Sequence, residues 1–149
     1  MGSRLEKEKL FYSYLSGFLD GDGCIAIKFE KSKTNKLGFR VRARVSFTQH
    51  KSRRKVLDFI YKYIKSGSIT EYKHNNMAEY VIYDQEIIKD LLIKIRPFVF
   101  VKSEQLKLAL KLITLKDNGY NPKSLKQMFN IYKKMGGLNN YPKTSNLTP

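Results

Sequence analysis

The chain has 149 residues, 42% of them hydrophobic, which is enough for one domain with a core. Its 29 Lys and Arg against 13 Asp and Glu give a formal net charge of +16, far more than solubility requires, so its natural partners are polyanions: nucleic acid or an anionic membrane. Membrane is the weaker choice, because no apolar run approaches the roughly 20 residues of a spanning helix, and the single cysteine, Cys24, excludes an internal disulfide and the cysteine-rich zinc motifs.

Residues 5–19 combine good helix formers with apolar residues and contain no proline, so they predict a helix. Its end, Tyr14 to Gly23, organises the rest of the chain. Ser13, Gly17 and Gly21 recur every four residues and make a ridge with almost no side-chain volume. Each glycine costs about 1 kcal/mol relative to alanine inside a helix, so a close backbone approach is expected, nearer than the usual 8–10 Å or so between helix axes. A chain with one such ridge finds its partner in a second copy. The sequence therefore predicts a homodimer with Ser13, Ser16, Gly17, Asp20 and Gly21 at the interface. Asp20 and Asp22 fall in the last turn, where a carboxylate is disfavoured by roughly 0.3–1 kcal/mol. Acid at that end fits a bound cation, and two such ends at a two-fold axis fit a hard divalent metal. The alternative is a Gly-rich helix stop with solvated aspartates.

Leu15 to Gly23 resembles the signature of the LAGLIDADG homing endonucleases in the variant LAGFxDGDG, and the pattern around it continues over residues 5 to 115. The single copy of the motif resembles the homodimeric branch. The resemblance implies an αββαββα fold of the α+β class, with a saddle-shaped antiparallel sheet and helices on one face. It also implies that Asp22 is a metal ligand, with the Gly21 carbonyl as a further oxygen donor.

Cys24 to Glu30 alternates, with Ile25, Ile27 and Phe29 on one face and Ala26, Lys28 and Glu30 on the other: a half-buried strand. Lys31 to Gly38, including Ser32 and Lys33, predicts a long mobile hairpin loop. Phe39 to Gln49 alternates most clearly, with Val41, Ala43, Val45 and Phe47 opposite Arg40, Arg42, Arg44 and Ser46. Three arginines on one strand face repel one another, and a polyanion relieves that; the alternative is a solvated strand face. A twisted ribbon enters the major groove, where arginine pairs with guanine and basic side chains meet phosphate.

Gln49 to Lys65 predicts a helix, with Ser52 as N-cap and Val56, Leu57, Phe59, Ile60, Tyr63 and Ile64 toward the core. The resemblance places Gln49 and Arg53 beside the metal, the glutamine ordering water and the arginine stabilising phosphate charge. Gly67 ends that helix. A second hairpin, Ser68 to Lys73 and Met77 to Tyr83, turns at His74-Asn75-Asn76; Ser68, Thr70 and Tyr72 share a face, as do Glu79, Val81 and Tyr83, with polar groups suited to base edges, and Lys73 at the end of the first strand is a further DNA contact. His74 has no second ligand nearby and reads as a turn residue or phosphate contact.

Glu86 to Ile95 predicts a helix that Pro97 breaks, and another runs to about Lys116 with Leu106, Ala109, Leu110 and Ile113 buried. Lys102 between them would ordinarily be surface charge; the resemblance makes it an active-site lysine. A final amphipathic helix follows Pro122 and stops at Gly136-Gly137, so that residues 1–135 form one domain and 136–149 a flexible tail.

These readings converge on a site-specific double-strand DNA endonuclease acting as a homodimer on a long, partly palindromic site. The resemblance implies Asp22, Gln49, Arg53 and Lys102 as its catalytic residues and Mg2+ as its cofactor, with Mn2+ substituting and Ca2+ binding without efficient cleavage. The competing reading is a non-catalytic binder on the same scaffold, an intron RNA maturase or a transcription regulator; RNA is the less favoured partner. The abundance of Lys, Asn, Ile and Tyr is what AT-rich coding gives, and no secretory signal opens the sequence, so an organelle or another DNA-containing intracellular compartment is expected.

Overall fold

The structure is a computed structural model that describes residues 2–140. Helix α1, Arg4–Asp22, starts at a capping box in which the Ser3 hydroxyl accepts the Glu6 N–H and the Glu6 carboxylate accepts the Ser3 N–H. Strands β1, Gly23–Lys31, and β2, Phe39–His50, follow, then α2, Arg54–Ile64. The hairpin of β3, Ser68–Tyr72, and β4, Met77–Ile82, leads into α3, Gln85–Ile95, α4, Ser103–Asn118, and α5, Pro122–Asn139. The four strands form one antiparallel sheet in the order β1-β2-β4-β3. Helices cover one face of it, α1 and α4 over β1 and β2, α2 over β2 and β4, and α5 beside β1.

Alternation in the strands sets the core. Ile25, Ile27 and Phe29 pair with Val45, Ala43 and Val41, and all six are buried under the helices with Leu15, Leu19, Leu57, Ile88 and Leu92. Period-2 geometry sends the residues between them to the bare face: Cys24, Ala26, Lys28 and Glu30 opposite Ser46, Arg44, Arg42 and Arg40.

The first half of β2 extends past β4, and side chains cover the resulting edge. The Gln85 amide accepts the Ala43 N–H at 2.8 Å and donates to the Ala43 carbonyl at 2.9 Å, in place of a neighbouring strand. Lys116 Nζ and the Tyr120 hydroxyl donate to the Val41 and Phe39 carbonyls. Burial, followed by the charges of Arg40 and Arg42, lowers the Lys116 ammonium pKa.

Several boundaries differ from the sequence reading. Gln49 and His50 remain in β2, paired with Ala78 and Met77, and a 3-10 turn, Lys51–Arg53, precedes α2. The Ser52 N–H donates to His50 Nδ1, so Ser52 is not a helix cap. Within α2 only Leu57 and Ile60 are buried, while Phe59 and Tyr63 are exposed on the side toward α1. In α4, Leu112 replaces Leu110 in the fully buried stripe. Gly136 and Gly137 do not stop α5, which continues to Asn139 and ends where Asn140 adopts a left-handed conformation. Residues 141–149 of the expected tail lie outside the described residues. The 32–38 loop is closed by internal hydrogen bonds, Ser32 N–H to the Gly38 carbonyl and Gly38 N–H to the Asn35 carbonyl.

Candidate active site and nucleic-acid interface

The end of α1 meets the start of β1 at Gly23. A Cβ there would lie 2.5 Å from Leu19 Cδ1 and 2.8 Å from its Cα, so only glycine allows the chain to leave the helix this tightly. That turn presents Asp22 to solvent at the helix terminus. Gln49, on β2, is buried at 7% exposure and donates from Nε2 to Asp22 Oδ2 at 2.7 Å. Arg53 Nε donates to Gln49 Oε1 at 3.0 Å. A donor on one side and a carboxylate on the other fix which way the amide points. Arg53 sits at the N-cap of α2 with no side-chain cap bond; the helix dipole disfavours a cation there and favours an anion.

Lys102 reaches the same helix end by another route. Its Nζ donates to the Asp20 backbone carbonyl at 2.7 Å. The Asp20 carboxylate accepts the N–H groups of Phe100 at 2.8 Å and of Lys102 at 3.1 Å. The charged pair expected in the last turn of α1 is thereby divided: Asp20 is committed to backbone amides, and Asp22 faces solvent.

The bare sheet face carries the basic strand. Arg42 pairs with Glu30 at 3.5 Å and stacks 3.8 Å from the Tyr83 ring centroid. Arg44 pairs with Glu79 at 3.1 Å and donates to Ser46 Oγ at 3.0 Å. Tyr72 donates to Glu79 at 3.0 Å, and this bond, its largest influence, raises the phenol pKa. The arginine repulsion inferred from the sequence is thus partly answered inside the chain by Glu30, Glu79 and Tyr83. Arg40 is exposed, and Arg42 Nε is buried without a partner. Burial pushes the Cys24 thiol up, with Arg44 and then Lys102 pulling the other way, which places Lys102 within electrostatic reach of this face.

The sheet gathers most of the sequence-derived DNA-binding residues on one face. Lys28, Glu30, Arg40, Arg42 and Arg44 share the bare face with Ser68, Thr70, Tyr72, Glu79 and Val81, while Ser32, Lys33 and Lys73 lie in the adjoining turns. Two site residues depart from the sequence reading. Ser46 is only 3% exposed, beneath Arg44, so it supports that arginine and cannot meet a ligand directly. Ser16 is 0% exposed and donates to the Tyr12 and Ile95 carbonyls, so it packs toward α3 and not toward a second copy. Asp20, assigned to the interface from sequence, holds the 100–102 segment. Thr48, paired with Glu79, shares this face as well, and the period-2 pattern carried one step further along β2 includes it.

A basic, open sheet face bordered by a solvent-facing carboxylate, a fixed amide and two cations belongs to a protein that processes nucleic acid. The family model described as LAGLIDADG endonuclease matches residues 15–107, more than half of the chain, and the chain belongs to that family. It is 27% identical over 131 residues to the DNA endonuclease I-CvuI of Chlorella vulgaris, covering 88% of this chain and 81% of the relative. It is 28% identical over 113 residues to the DNA endonuclease I-CreI of Chlamydomonas reinhardtii, covering 76% and 67%. A crystal structure of I-CvuI with the I-CreI target, in 2 mM Mg with the DNA not cleaved, superposes with a TM-score of 0.86 at 26% identity over 95% of this chain and 89% of that one. I-CvuI with its own target in 2 mM Ca also gives 0.86, at 25% identity over 95% and 90%.

Proposed function

We propose that this chain is a site-specific endonuclease that, as a homodimer, hydrolyses both strands of duplex DNA with a divalent metal. The chain Arg53, Gln49, Asp22 at 3.0 and 2.7 Å, on the border of a basic sheet face, carries this reading. The DNA endonucleases it resembles support the substrate.

The donor set fits a hard cation. Asp22 and the Gly21 carbonyl offer oxygen only, and Gly21 lies among the last carbonyls of α1, which lack intrahelical partners. One chain offers these two oxygen donors, which leaves the rest of the coordination shell to water, DNA phosphates and the Asp22 of a second copy. Mg2+ meets these requirements, with Mn2+ substituting and larger Ca2+ binding with little cleavage. When bound, the metal supplies Lewis acidity to water and neutralises charge at phosphate oxygens.

The remaining work falls to side chains. Gln49 spends one Nε2 hydrogen on Asp22 and keeps the other for a water. Arg53 and Lys102 stabilise charge developing on the scissile phosphate. Lys28, Arg40, Arg42 and Arg44 contact phosphates and base edges, with Glu30, Ser32, Lys33, Ser68, Thr70, Tyr72, Lys73, Glu79 and Val81 completing the reading surface. Dimerisation uses the exposed stripe Leu10, Tyr14, Gly17 and Gly21 of α1 with Ser13 beside it. A Cβ at Gly17 or Gly21 would meet nothing within 4 Å in one chain, so the reason for glycine lies outside it. The stripe continues into an apolar groove lined by Leu10, Tyr14, Val56 and Phe59, which the same second copy covers. The composition and the relatives from Chlorella and Chlamydomonas support expression in an organelle.

The test is a random duplex library incubated with the protein and Mg2+, Mn2+, Ca2+ or chelator. Recovery of one partly palindromic cut site with Mg2+ and Mn2+, and binding without efficient cutting in Ca2+, is expected. Binding without cutting under every metal would refute the enzyme.

A further inference from the structure

The segment between the 3-10 turn Arg96–Phe98 and α4 has little support of its own. Phe100 and Val101 are 88% and 71% exposed, and Lys102, the N-cap residue of α4, makes no side-chain cap bond to that helix. What holds it is Asp20. Its Oδ2 accepts the Phe100 N–H, its Oδ1 accepts the Lys102 N–H, and its carbonyl accepts from Lys102 Nζ. One residue thus grips both the backbone and the side chain of Lys102, from a position two residues before Asp22 on the same helix end.

The charges make the arrangement self-consistent. A carboxylate at a helix C-terminus opposes the dipole, and the Lys102 ammonium on the last-turn carbonyl complements it. Two backbone amides occupy the Asp20 oxygens, forming charge-assisted bonds stronger than neutral ones.

We infer that Asp20 is a positioning residue for the cleavage reaction: its carboxylate locks Lys102 to the end of α1, so that Lys102 and Asp22 keep a fixed relation at the scissile phosphate. This rests on the endonuclease reading above. Both Asp20 carboxylate oxygens are taken by backbone amides, so Asp20 acts through Lys102.

The test uses the full chain and a duplex bearing the cut site selected from the library. Asp20→Asn is isosteric but sets an NH2 against one amide donor. Single-turnover cleavage should fall roughly tenfold to a hundredfold, the scale of a small misplacement, while duplex affinity in Ca2+ stays within about threefold. In a Lys102→Met background the same substitution should cost nothing further, because the group it positions is gone. Equal losses in both backgrounds would overturn the inference, since Asp20 would then act independently of Lys102. Amide hydrogen exchange gives a readout independent of activity. The Phe100 and Lys102 amides should be protected in the parent and should exchange faster in Asp20→Asn, with α1 and α4 otherwise unchanged. Free exchange of both amides in the parent would remove the clamp, whatever the cleavage assay gives. Protected amides in a parent that cuts no duplex would overturn the endonuclease reading instead, and the catalytic role of Asp20 with it.

Discussion

Replacing Gly17 by alanine should change the stability of the chain and of its dimer in opposite directions. In one chain the new Cβ has no neighbour within 4 Å. Nothing then opposes the gain in helix propensity, about 1 kcal/mol for glycine to alanine in a helix interior. In the dimer, the same methyl group would stand between two α1 helices, once from each copy, where their approach depends on its absence. A tenfold weaker association, about 1.4 kcal/mol, is a modest expectation, and Gly17→Leu should separate the subunits. Gly137, in α5, also has nothing within 4 Å of a built Cβ and is the control: Gly137→Ala should add helix propensity and leave association unchanged. Sedimentation equilibrium over a concentration series gives the dissociation constants. Chemical denaturation at the dilute and concentrated ends separates the stability of the chain from that of the assembly. If Gly17→Ala dimerises as tightly as the parent, the ridge is not where the copies meet.

Asp22→Asn keeps the shape and removes the charge, so cleavage in Mg2+ should drop to near background while gel-shift affinity persists; near-normal nicking by this variant would remove Asp22 from the mechanism. Among the arginines, Arg44→Ala should cost more affinity than Arg40→Ala, because it also turns the freed Glu79 carboxylate toward DNA. Adding Glu79→Gln should recover part of the loss, and a binding isotherm insensitive to all three arginines would dismiss β2 as the reading strand. Where an arginine pairs with a base, its loss should relax preference there by about 1–3 kcal/mol. Burial pushes the Tyr80 hydroxyl, hydrogen-bonded to the Ser66 carbonyl, well above its ordinary 10.0. The unfolded chain therefore loses that proton first, and stability should fall as pH rises past 10. Urea titrations at pH 9 and 11 should show a smaller drop for Tyr80→Phe.

The elements that the sequence displayed best were those whose pattern has a single physical solution. Ile25, Ile27 and Phe29 against Lys28 and Glu30, and Val41, Ala43 and Val45 against the three arginines, can satisfy burial in one strand register only. Charge of that size on the face opposite the core had to point outward. Helix ends were less legible. The α2 start moved from Gln49 to Arg54 because pairing with β4 extends the strand through His50, and nothing local to Gln49 shows that partner. Similarly, Gly136 and Gly137 read as a stop, yet packing of Met135 in the core carries α5 past them.

The sequence by itself determined the alternating sheet, its basic face, the glycine ridge and the acid at the end of α1, because composition, periodicity and helix-terminus electrostatics act over a few neighbouring residues. Only the tertiary structure decided which of those groups are available. It set Ser16 against Ile95, Ser46 under Arg44 and Asp20 onto amides some 80 positions away, and left Asp22 to solvent beside Gln49. Two aspartates two residues apart differ in role because folding brings backbone donors to the first and a buried amide to the second, and hydrogen bonds between segments so distant in the chain have no local signature.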